Sequence, residues 1–341
     1  MPISDYHSSA GDWRGQIKKN QRKTRVVIAL FLAIYVGVGL LVDVVILQNL
    51  NPQTSLQQCI TALLTLQAIP YATLIMGGIA VVSLMVTYAF YDRIMLLGTE
   101  YHEITPENAQ SLEEKQLYNV VEEMKVAAGM KYMPKVYIIE ADYMNAFASG
   151  YSEKSAMVAI TRGLLNKLDR AEMQAVMGHE LSHIRHLDTK LTLTVAILSN
   201  ILLIVLDMLF YTVIYGGNNR RQDNRLLIVV MILRNVLPII TVLLTLFLSR
   251  TREYMADSGA VELMRDNEPM ARALLKISSD HQENADQYAA QYSRTAHEQV
   301  RRASYLFDPS TIAPLNALSN AFSTHPDTEQ RLKALGFKKK N

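Results

Sequence analysis

The sequence predicts an α+β membrane protein that is mostly α-helical, with four membrane-embedded helices and a polar part that contains a small sheet. Two observations indicate this class. Half of the 341 residues are apolar, yet charged residues make up 19% of the chain. The apolar residues are also concentrated in four long runs that alternate with charge-rich stretches. This mixture is typical of a membrane protein with a sizeable water-exposed part.

The cysteine count and the net charge exclude several other classes of protein. Cys59 is the single cysteine, which rules out an internal disulfide and a cysteine-based zinc knuckle. The formal net charge of +2 is too small to indicate nucleic acid as a partner.

Four apolar runs, each about 22–25 residues long, are the predicted membrane helices. They are Val26–Leu47, Ala68–Phe90, Leu191–Tyr215 and Leu226–Leu248. A helix needs about 20 residues to cross roughly 30 Å of hydrocarbon, so each run could span a bilayer. The first run is longer than the core of a signal peptide, and no small-residue cleavage site follows it, so we expect a retained anchor.

The distribution of lysine and arginine predicts which ends face the cytoplasm. Six basic residues lie in the segment 1–25 before the first run, whereas the loop 48–67 between the first two runs has none. Basic residues are enriched on the cytoplasmic side, so we expect a cytoplasmic N-terminus. The loop 216–225 carries three arginines that the same rule would place inside. The second pair therefore either spans against the rule or only dips into the bilayer, and its length favours spanning.

Two charges inside the second pair of runs predict a specific contact. Asp207 lies eight residues before Tyr215, and Arg234 lies eight residues after Leu226. Both are therefore about 12 Å from the turn, and antiparallel helices would bring them to the same depth. Unpaired charges are costly in a membrane, so we expect an ion pair. The alternative is that each charge is hydrated separately in a cavity.

The runs divide the chain into five predicted segments. These are a basic N-terminal segment (1–25), two transmembrane helices (26–90), a first polar block (91–190), a hydrophobic hairpin (191–248) and a second polar block (249–341). Pattern and turn signals predict the elements of the two blocks. The first block is predicted to contain a helix over Pro106–Met130, with Pro106 in its first turn, and strands over 135–140 and 156–161. A second helix is predicted over Asp169–His186, because Asp169 and Glu172 have the spacing of a capping box. The second block is predicted to contain helices over Arg250–Asp266, Pro269–His281 and Ala285–Ala303, and a last one from Pro326.

The segment His179-Glu180-Leu181-Ser182-His183 has the H-E-x-x-H pattern of a zinc site. Residues four apart on a helix point in nearly the same direction, so both imidazoles can reach one ion. A catalytic zinc takes three protein ligands, which leaves one to find. Glu180, beside the first ligand, can then accept a proton from the attacking water.

Three residues are candidates for the third ligand. Glu253, in the sequence "EYMAD", is favoured, and Asp257 one turn later could accept a proton from the free nitrogen of a ligand histidine. His186 lies a full turn beyond the pair, and His325 precedes Pro326 in a loop, so both remain alternatives. If Glu253 and the histidines share an ion, the chain between them must cross the bilayer an even number of times. Two apolar runs meet that condition and would hold the ion at the cytoplasmic membrane surface.

These motifs together resemble the HtpX family of bacterial membrane zinc metalloproteases, relatives of the CaaX prenyl proteases. The resemblance covers two N-terminal spans, "NAFASG", "HELSH", a hydrophobic pair, "EYMAD" and "HPDTEQR". It implies a gluzincin-like fold with one Zn²⁺ per chain, His179, His183 and Glu253 as ligands, and Glu180 as the catalytic residue. It also implies that His325 and Arg331 help to bind the substrate or the developing oxyanion.

The same resemblance implies protein substrates, chiefly membrane proteins that are damaged or misassembled, and a place in the bacterial inner membrane. The protease domain would then face the cytoplasm and cut exposed or unfolded segments. The segment Asn145, Ala146, Phe147, Ala148, Ser149 and Gly150 would be an edge strand that pairs with an extended peptide. The alternative is an ordinary edge strand that ends at Gly150.

Two other classes of protein fit the zinc pattern less well. An intramembrane site-2-type protease carries the motif within an apolar helix, whereas charged residues surround it here. A non-catalytic membrane scaffold would close a structural zinc with four protein ligands and would not need Glu180.

Overall fold

The computed structural model describes residues 3–8, 12–51, 53–96, 99–150, 152–215, 224–294, 305–307 and 325–340. Within these ranges the chain is mostly helical with two small sheets, which confirms the predicted fold class. The helices are α1 (Trp13–Leu50), α2 (Leu56–Leu64), α3 (Tyr71–Leu96), α4 (Leu112–Ala127), α5 (Arg162–Lys167), α6 (Arg170–Arg185), α7 (Asp188–Tyr215), α8 (Asn224–Met264), α9 (Glu268–Glu283), α10 (Ala285–Arg294) and α11 (Thr328–Ala334). The strands are β1 (Tyr6–Ser8), β2 (Tyr101–Ile104), β3 (Lys135–Ile139), β4 (Ala146–Ser149), β5 (Met157–Thr161) and β6 (Phe337–Lys339).

The chain forms two compact units. The polar unit contains Met1–Thr24, Phe90–Leu191 and Leu246–Asn341, and the apolar unit contains Arg25–Ala89 and Thr192–Thr245. The predicted loop 216–225 lies largely outside the described residues, as does the last part of the predicted helix Ala285–Ala303.

Apolar helices match all four predicted runs. Among the described residues, three helical segments are long and apolar enough to cross a membrane, namely Arg14–Leu50, Asp188–Val213 and Ile228–Met264. In α3 (Tyr71–Leu96), the apolar stretch among the described side chains is Tyr71–Thr87. The segment 48–67, which we expected to be a plain loop, contains α2, and its first turn is closed by a capping box of Ser55 and Gln58.

Three charged side chains within the apolar unit have partners. The Arg234 Nε donates a hydrogen bond of 2.7 Å to Asp207 Oδ1, which confirms the predicted ion pair. The buried Asp43 of α1 accepts hydrogen bonds from the backbone amides of Ala72 and Thr73 at 2.7 and 3.0 Å. Asp43 therefore satisfies amides in the first turn of α3 that have no partner within their own helix.

A four-stranded sheet supports the polar unit, with the strand order β2-β3-β5-β4. The β3/β5 pair is parallel, and the other two pairs are antiparallel. The predicted strands over 135–140 and 156–161 are therefore confirmed as β3 and β5. The predicted helix over Pro106–Met130 begins later than expected, at Leu112, because Ser111 and Glu114 form its capping box. Pro106 lies in a turn in which the Thr105 amide donates to the Asn108 side chain.

The segment that carries the zinc pattern forms α6, as predicted. Asp169 is its N-cap and makes the expected capping box with Glu172. Helix α6 packs against α4, α9 and β4, so most of its residues are buried. The predicted helix over Arg250–Asp266 is continuous with the fourth apolar run as the single helix α8. A second sheet, which we did not predict, pairs β1 antiparallel with β6.

Candidate metal centre

The two histidines of α6 face a common point. Their Nε2 atoms are 3.0 Å apart, and the ring planes are inclined at 82°. Four-residue spacing brings both rings to one side of the helix. Burial, followed by the charge of His179, lowers the pKa of His183 to about 3, so its imidazole is neutral and can bind a metal.

Glu253 completes the group from α8. Its Oε2 is 3.7 Å from His179 Nε2, and its Oε1 is 3.5 Å from His183 Nε2. Ligand-capable atoms of His179, His183 and Glu253 all lie within 4.8 Å of one another. Ligands of a tetrahedral zinc, at 2.0–2.2 Å from the ion, are separated by about 3.3–3.6 Å. The three side chains therefore fit a zinc ion.

His186 and His325, the other two candidates for the third ligand, are not part of the group of three ligand-capable side chains. His186 is the C-cap of α6, and its Nδ1 lies 2.8 Å from the carbonyl oxygen of Ser182. The buried His325 approaches Glu253, with 3.4 Å between its Nδ1 and Glu253 Oε2.

Carboxylates hold the second nitrogen of each histidine. Asp257 Oδ1 lies 2.9 Å from His179 Nδ1, as the spacing predicted. Asp188 Oδ2 lies 2.7 Å from His183 Nδ1, a contact that the sequence analysis missed. Such carboxylates fix the ring orientation and increase the basicity of the nitrogen that faces the metal.

Each of these carboxylates also contacts an arginine. Arg331 donates to both oxygens of Asp257, with Nε to Oδ2 at 2.9 Å and Nη2 to Oδ1 at 2.6 Å. Burial alone would lower the pKa of Arg331, but the Asp257 carboxylate raises it above its usual value. Asp188 forms an ion pair with Arg252. Arg331, a residue that is only 2% exposed, thus has a buried guanidinium group that donates two hydrogen bonds to Asp257.

Glu180 is buried beside the metal group. Among the described residues, neither of its carboxylate oxygens has a well-formed hydrogen bond. Burial raises the pKa of the Glu180 carboxyl well above its usual range, and the charge of Glu253 raises it further. Arg331 and the Ala148 backbone oppose this shift. A buried carboxyl group with a raised pKa suits the exchange of a proton with a water molecule.

Glycine allows α6 and α8 to approach closely enough for the ligands to converge. A Cβ at Gly259 of α8 would lie 2.1 Å from Ser182 Oγ and 2.8 Å from Ser182 Cβ. These distances are too short for any side chain, so the helices could not approach this closely with alanine at position 259.

Comparison with known proteins identifies the family. Residues 111–337 match the sequence profile of Peptidase family M48. A "Protease HtpX homolog" of Helicobacter acinonychis is 41% identical over 94% of this chain and 96% of its own length. The chain belongs to Peptidase family M48.

A second HtpX relative agrees with the predicted resemblance. A "Protease HtpX homolog" of Listeria monocytogenes is 32% identical over 94% of this chain and 98% of its own length. The crystal structure of S. mikatae Ste24p matches with a TM-score of 0.49 at 17% identity, and covers 93% of this chain and 66% of that one. As an M48 member with long apolar helices and a His/Glu group that could hold a metal, the chain is a membrane metalloprotease.

The predicted edge strand of this M48 chain is β4, at the end of the four-stranded sheet. Ala146, Phe147, Ala148 and Ser149 form the strand, Asn145 precedes it, and Gly150 follows in a turn with φ of +132°. The outer edge already has a partner in the chain itself. The Leu306 amide donates to the Ala146 carbonyl at 2.8 Å, and Phe147 forms an antiparallel bridge with Tyr305.

Proposed function

We propose that this protein is a zinc-dependent endopeptidase that binds one Zn²⁺ per chain through His179, His183 and Glu253. The observation that carries the proposal is the convergence of these three side chains, whose ligand-capable atoms lie within 4.8 Å of one another beside the buried Glu180. A structural zinc closed by four protein ligands would have no use for that carboxylate.

The residues divide the chemistry among them. When bound, zinc supplies Lewis-acid polarisation of the scissile carbonyl and acidifies water. One carboxylate oxygen of Glu180 accepts the proton of the attacking water and later delivers it to the leaving amine nitrogen. The buried carboxyl group of Glu180 holds the proton between these two transfers.

Further residues position the reacting groups. Asp257 and Asp188 hold the ligand histidines in the orientation that directs Nε2 at the metal. Arg331, which the family resemblance assigns to the substrate or the oxyanion, donates two hydrogen bonds to Asp257 and lies 3.7 Å from Glu253 Oε2. We therefore propose that it positions these two carboxylates. His325, buried 3.4 Å from Glu253, is the residue that we assign to the oxyanion and the substrate.

The substrates in this proposal are exposed or unfolded segments of membrane proteins, cut at the cytoplasmic face of the bacterial inner membrane as part of protein quality control. The six basic residues before the first apolar run favour a cytoplasmic N-terminus. The two apolar runs between His183 and Glu253 return the chain to the side from which it left. Cleavage of a model substrate at positions in the middle of the membrane would contradict this proposal.

Zinc content and casein hydrolysis, measured in detergent, test the enzymatic proposal. We expect Glu180→Gln to keep its zinc and lose cleavage by a factor of at least about 100, because only the general base is removed. Glu253→Ala should lose both zinc and cleavage. Glu262→Gln, on the same helix as Glu253 but paired with the exposed Arg185, is the matched control and should change neither. Full activity of Glu180→Gln would refute the proposed mechanism.

A further inference from the structure

The segment Tyr305–Phe307 lies along the outer edge of β4 and pairs with it through an isolated antiparallel bridge. The Leu306 amide donates to the Ala146 carbonyl at 2.8 Å. On either side of this bond, Tyr305 bridges Phe147, and Phe307 exchanges hydrogen bonds with the Asn145 side chain. Asn145 Nδ2 donates to the Phe307 carbonyl at 3.0 Å, and the Phe307 amide donates to Asn145 Oδ1 at 3.2 Å.

Aromatic contacts hold this segment in place. The Tyr305 ring lies 5.8 Å from that of Phe147 and 6.2 Å from that of Tyr292, measured between centroids. The Phe307 ring lies 4.6 Å from that of His281. All three residues of the segment are buried. Tyr305 and Phe307, which precede and follow Leu306 in the chain, therefore each pack against aromatic rings of the polar unit.

The segment is also coupled to the metal centre. The Leu306 carbonyl accepts a hydrogen bond of 2.7 Å from Arg331 Nη1. The same guanidinium holds Asp257, which contacts His179. Helix α6, which carries Glu180, packs directly against β4. A peptide in the place of this segment would thus pair with a strand that packs against the helix carrying Glu180.

An extended peptide that adds to a sheet edge uses the backbone groups of the edge strand. At β4 the Ala146 carbonyl already accepts from Leu306, and the Asn145 side chain is used by Phe307. A peptide and the segment cannot use these atoms at the same time. The two must therefore compete.

We propose that Tyr305–Phe307 is an internal substrate-like strand that blocks the β4 edge and must leave before a peptide can bind. This inference rests on the proposed function. It also defines a substrate class, because the vacated pockets would accept an extended segment with bulky aromatic or apolar side chains two positions apart.

Hydrogen exchange tests the displacement directly. The Glu180→Gln protein, which binds peptide without cutting it, is compared with and without the synthetic peptide ASYLFDP, the sequence of residues 303–309. We expect the amides of residues 305–307 to lose protection on peptide binding while β3 and β5 keep theirs. The peptide ASALADP, which lacks both aromatic rings, should bind at least about tenfold more weakly. Unchanged protection of 305–307 in the presence of saturating bound ASYLFDP would overturn the proposal.

A reversible clamp tests whether the segment restrains activity. In a Cys59→Ala background, cysteines replace Phe147 and Tyr305, the two residues of the antiparallel bridge. In the control protein, cysteines replace His7 and Lys338, which are partners in the β1/β6 sheet. We expect oxidation to reduce cleavage at least tenfold in the first protein only, with recovery on reduction. Equal cleavage by its oxidised and reduced forms would overturn the proposal. If wild type itself cleaves nothing, the proposed function fails instead.

Leu306→Pro gives an independent result if the paired cysteines impair folding. Proline removes the amide that donates to Ala146 but keeps the carbonyl that accepts from Arg331. Loss of one hydrogen bond from a competing strand should raise kcat/KM roughly two- to tenfold. A decrease in kcat/KM at unchanged zinc content would show that the segment supports the site, and would overturn the proposal.

Discussion

Replacement of Asp257 by asparagine should weaken both the metal centre and the fold around it. The carboxylate accepts two hydrogen bonds from Arg331 and lies 2.9 Å from His179 Nδ1. Asparagine has nearly the same shape but only one oxygen, whereas Oδ1 of Asp257 faces both His179 Nδ1 and Arg331 Nη2, and Oδ2 faces Arg331 Nε. The amide group of asparagine must therefore point either at Arg331 Nε or at both His179 Nδ1 and Arg331 Nη2. In both orientations a donor meets a donor, and Arg331 keeps a buried charge without its partner.

The structure sets the size of this effect. Removal of one partner from a buried, hydrogen-bonded ion pair costs about 3–5 kcal/mol. For a unit of this size, each 1 kcal/mol shifts the thermal midpoint by about 2–4 °C, so we expect a decrease of at least about 6–12 °C. The loss of a carboxylate behind a ligand histidine should weaken zinc binding by about 10–100-fold.

Two assays with one control measure these effects. The apparent thermal midpoint is recorded in detergent at a fixed scan rate, and zinc affinity is measured by competition with a chelator. Glu262→Gln on the same helix removes an exposed ion pair with Arg185, which should cost at most about 1 kcal/mol. If Asp257→Asn binds zinc as tightly as wild type does, Asp257 does not hold His179 for metal binding and the reasoning is wrong.

Three further predictions concern packing, charge and metal. Gly259→Ala should weaken zinc binding because its Cβ would lie 2.1 Å from Ser182 Oγ, and Ser182→Gly should restore much of the affinity in the double variant. Reversal of Asp207 or Arg234 alone should lower the thermal midpoint in detergent, because it places two like charges side by side among apolar residues, and the double swap should recover at least half of the loss. Removal of metal with a chelator should lower the thermal midpoint of wild type. The free energy of unfolding should fall by about 4 kcal/mol if the free zinc concentration had been 1,000 times its dissociation constant. If the Arg234→Asp/Asp207→Arg protein has a thermal midpoint as low as the single variants, the charge prediction is wrong. If chelation leaves the midpoint of wild type unchanged, the metal prediction is wrong.

Short-range signals made much of this structure predictable. The capping box of Asp169 and Glu172 fixes the start of α6, and the four-residue spacing then places His179 and His183 on one side. Helix α2 has an equally clear start signal in Ser55 and Gln58, but a segment of 20 residues between two apolar runs is equally consistent with a plain loop.

Contacts between distant residues were harder to predict. Glu253 could be proposed because the chain between it and the histidines must cross the membrane an even number of times. No comparable constraint indicates that residues 305–307 pair with β4, since nothing in the sequence relates positions 160 residues apart. Pro106 shows a different difficulty, because proline is favoured both in the first turn of a helix and in turns. The contact of Asp188 with His183 has no signal in the sequence, because it depends on the rotamer of His183.

The charges around the candidate metal centre themselves favour a divalent cation. Four buried carboxylates surround it among the described residues, namely Glu180, Asp188, Glu253 and Asp257. Two buried guanidinium groups, those of Arg252 and Arg331, balance two of them, which leaves two negative charges when all four acids are ionised. Uncompensated charge is costly away from water, so a protein without metal reduces it by protonation, as the raised pKa of Glu180 indicates. An ion of charge +2 supplies the missing balance without a proton and leaves Glu180 ionised, which is the state that a general base requires.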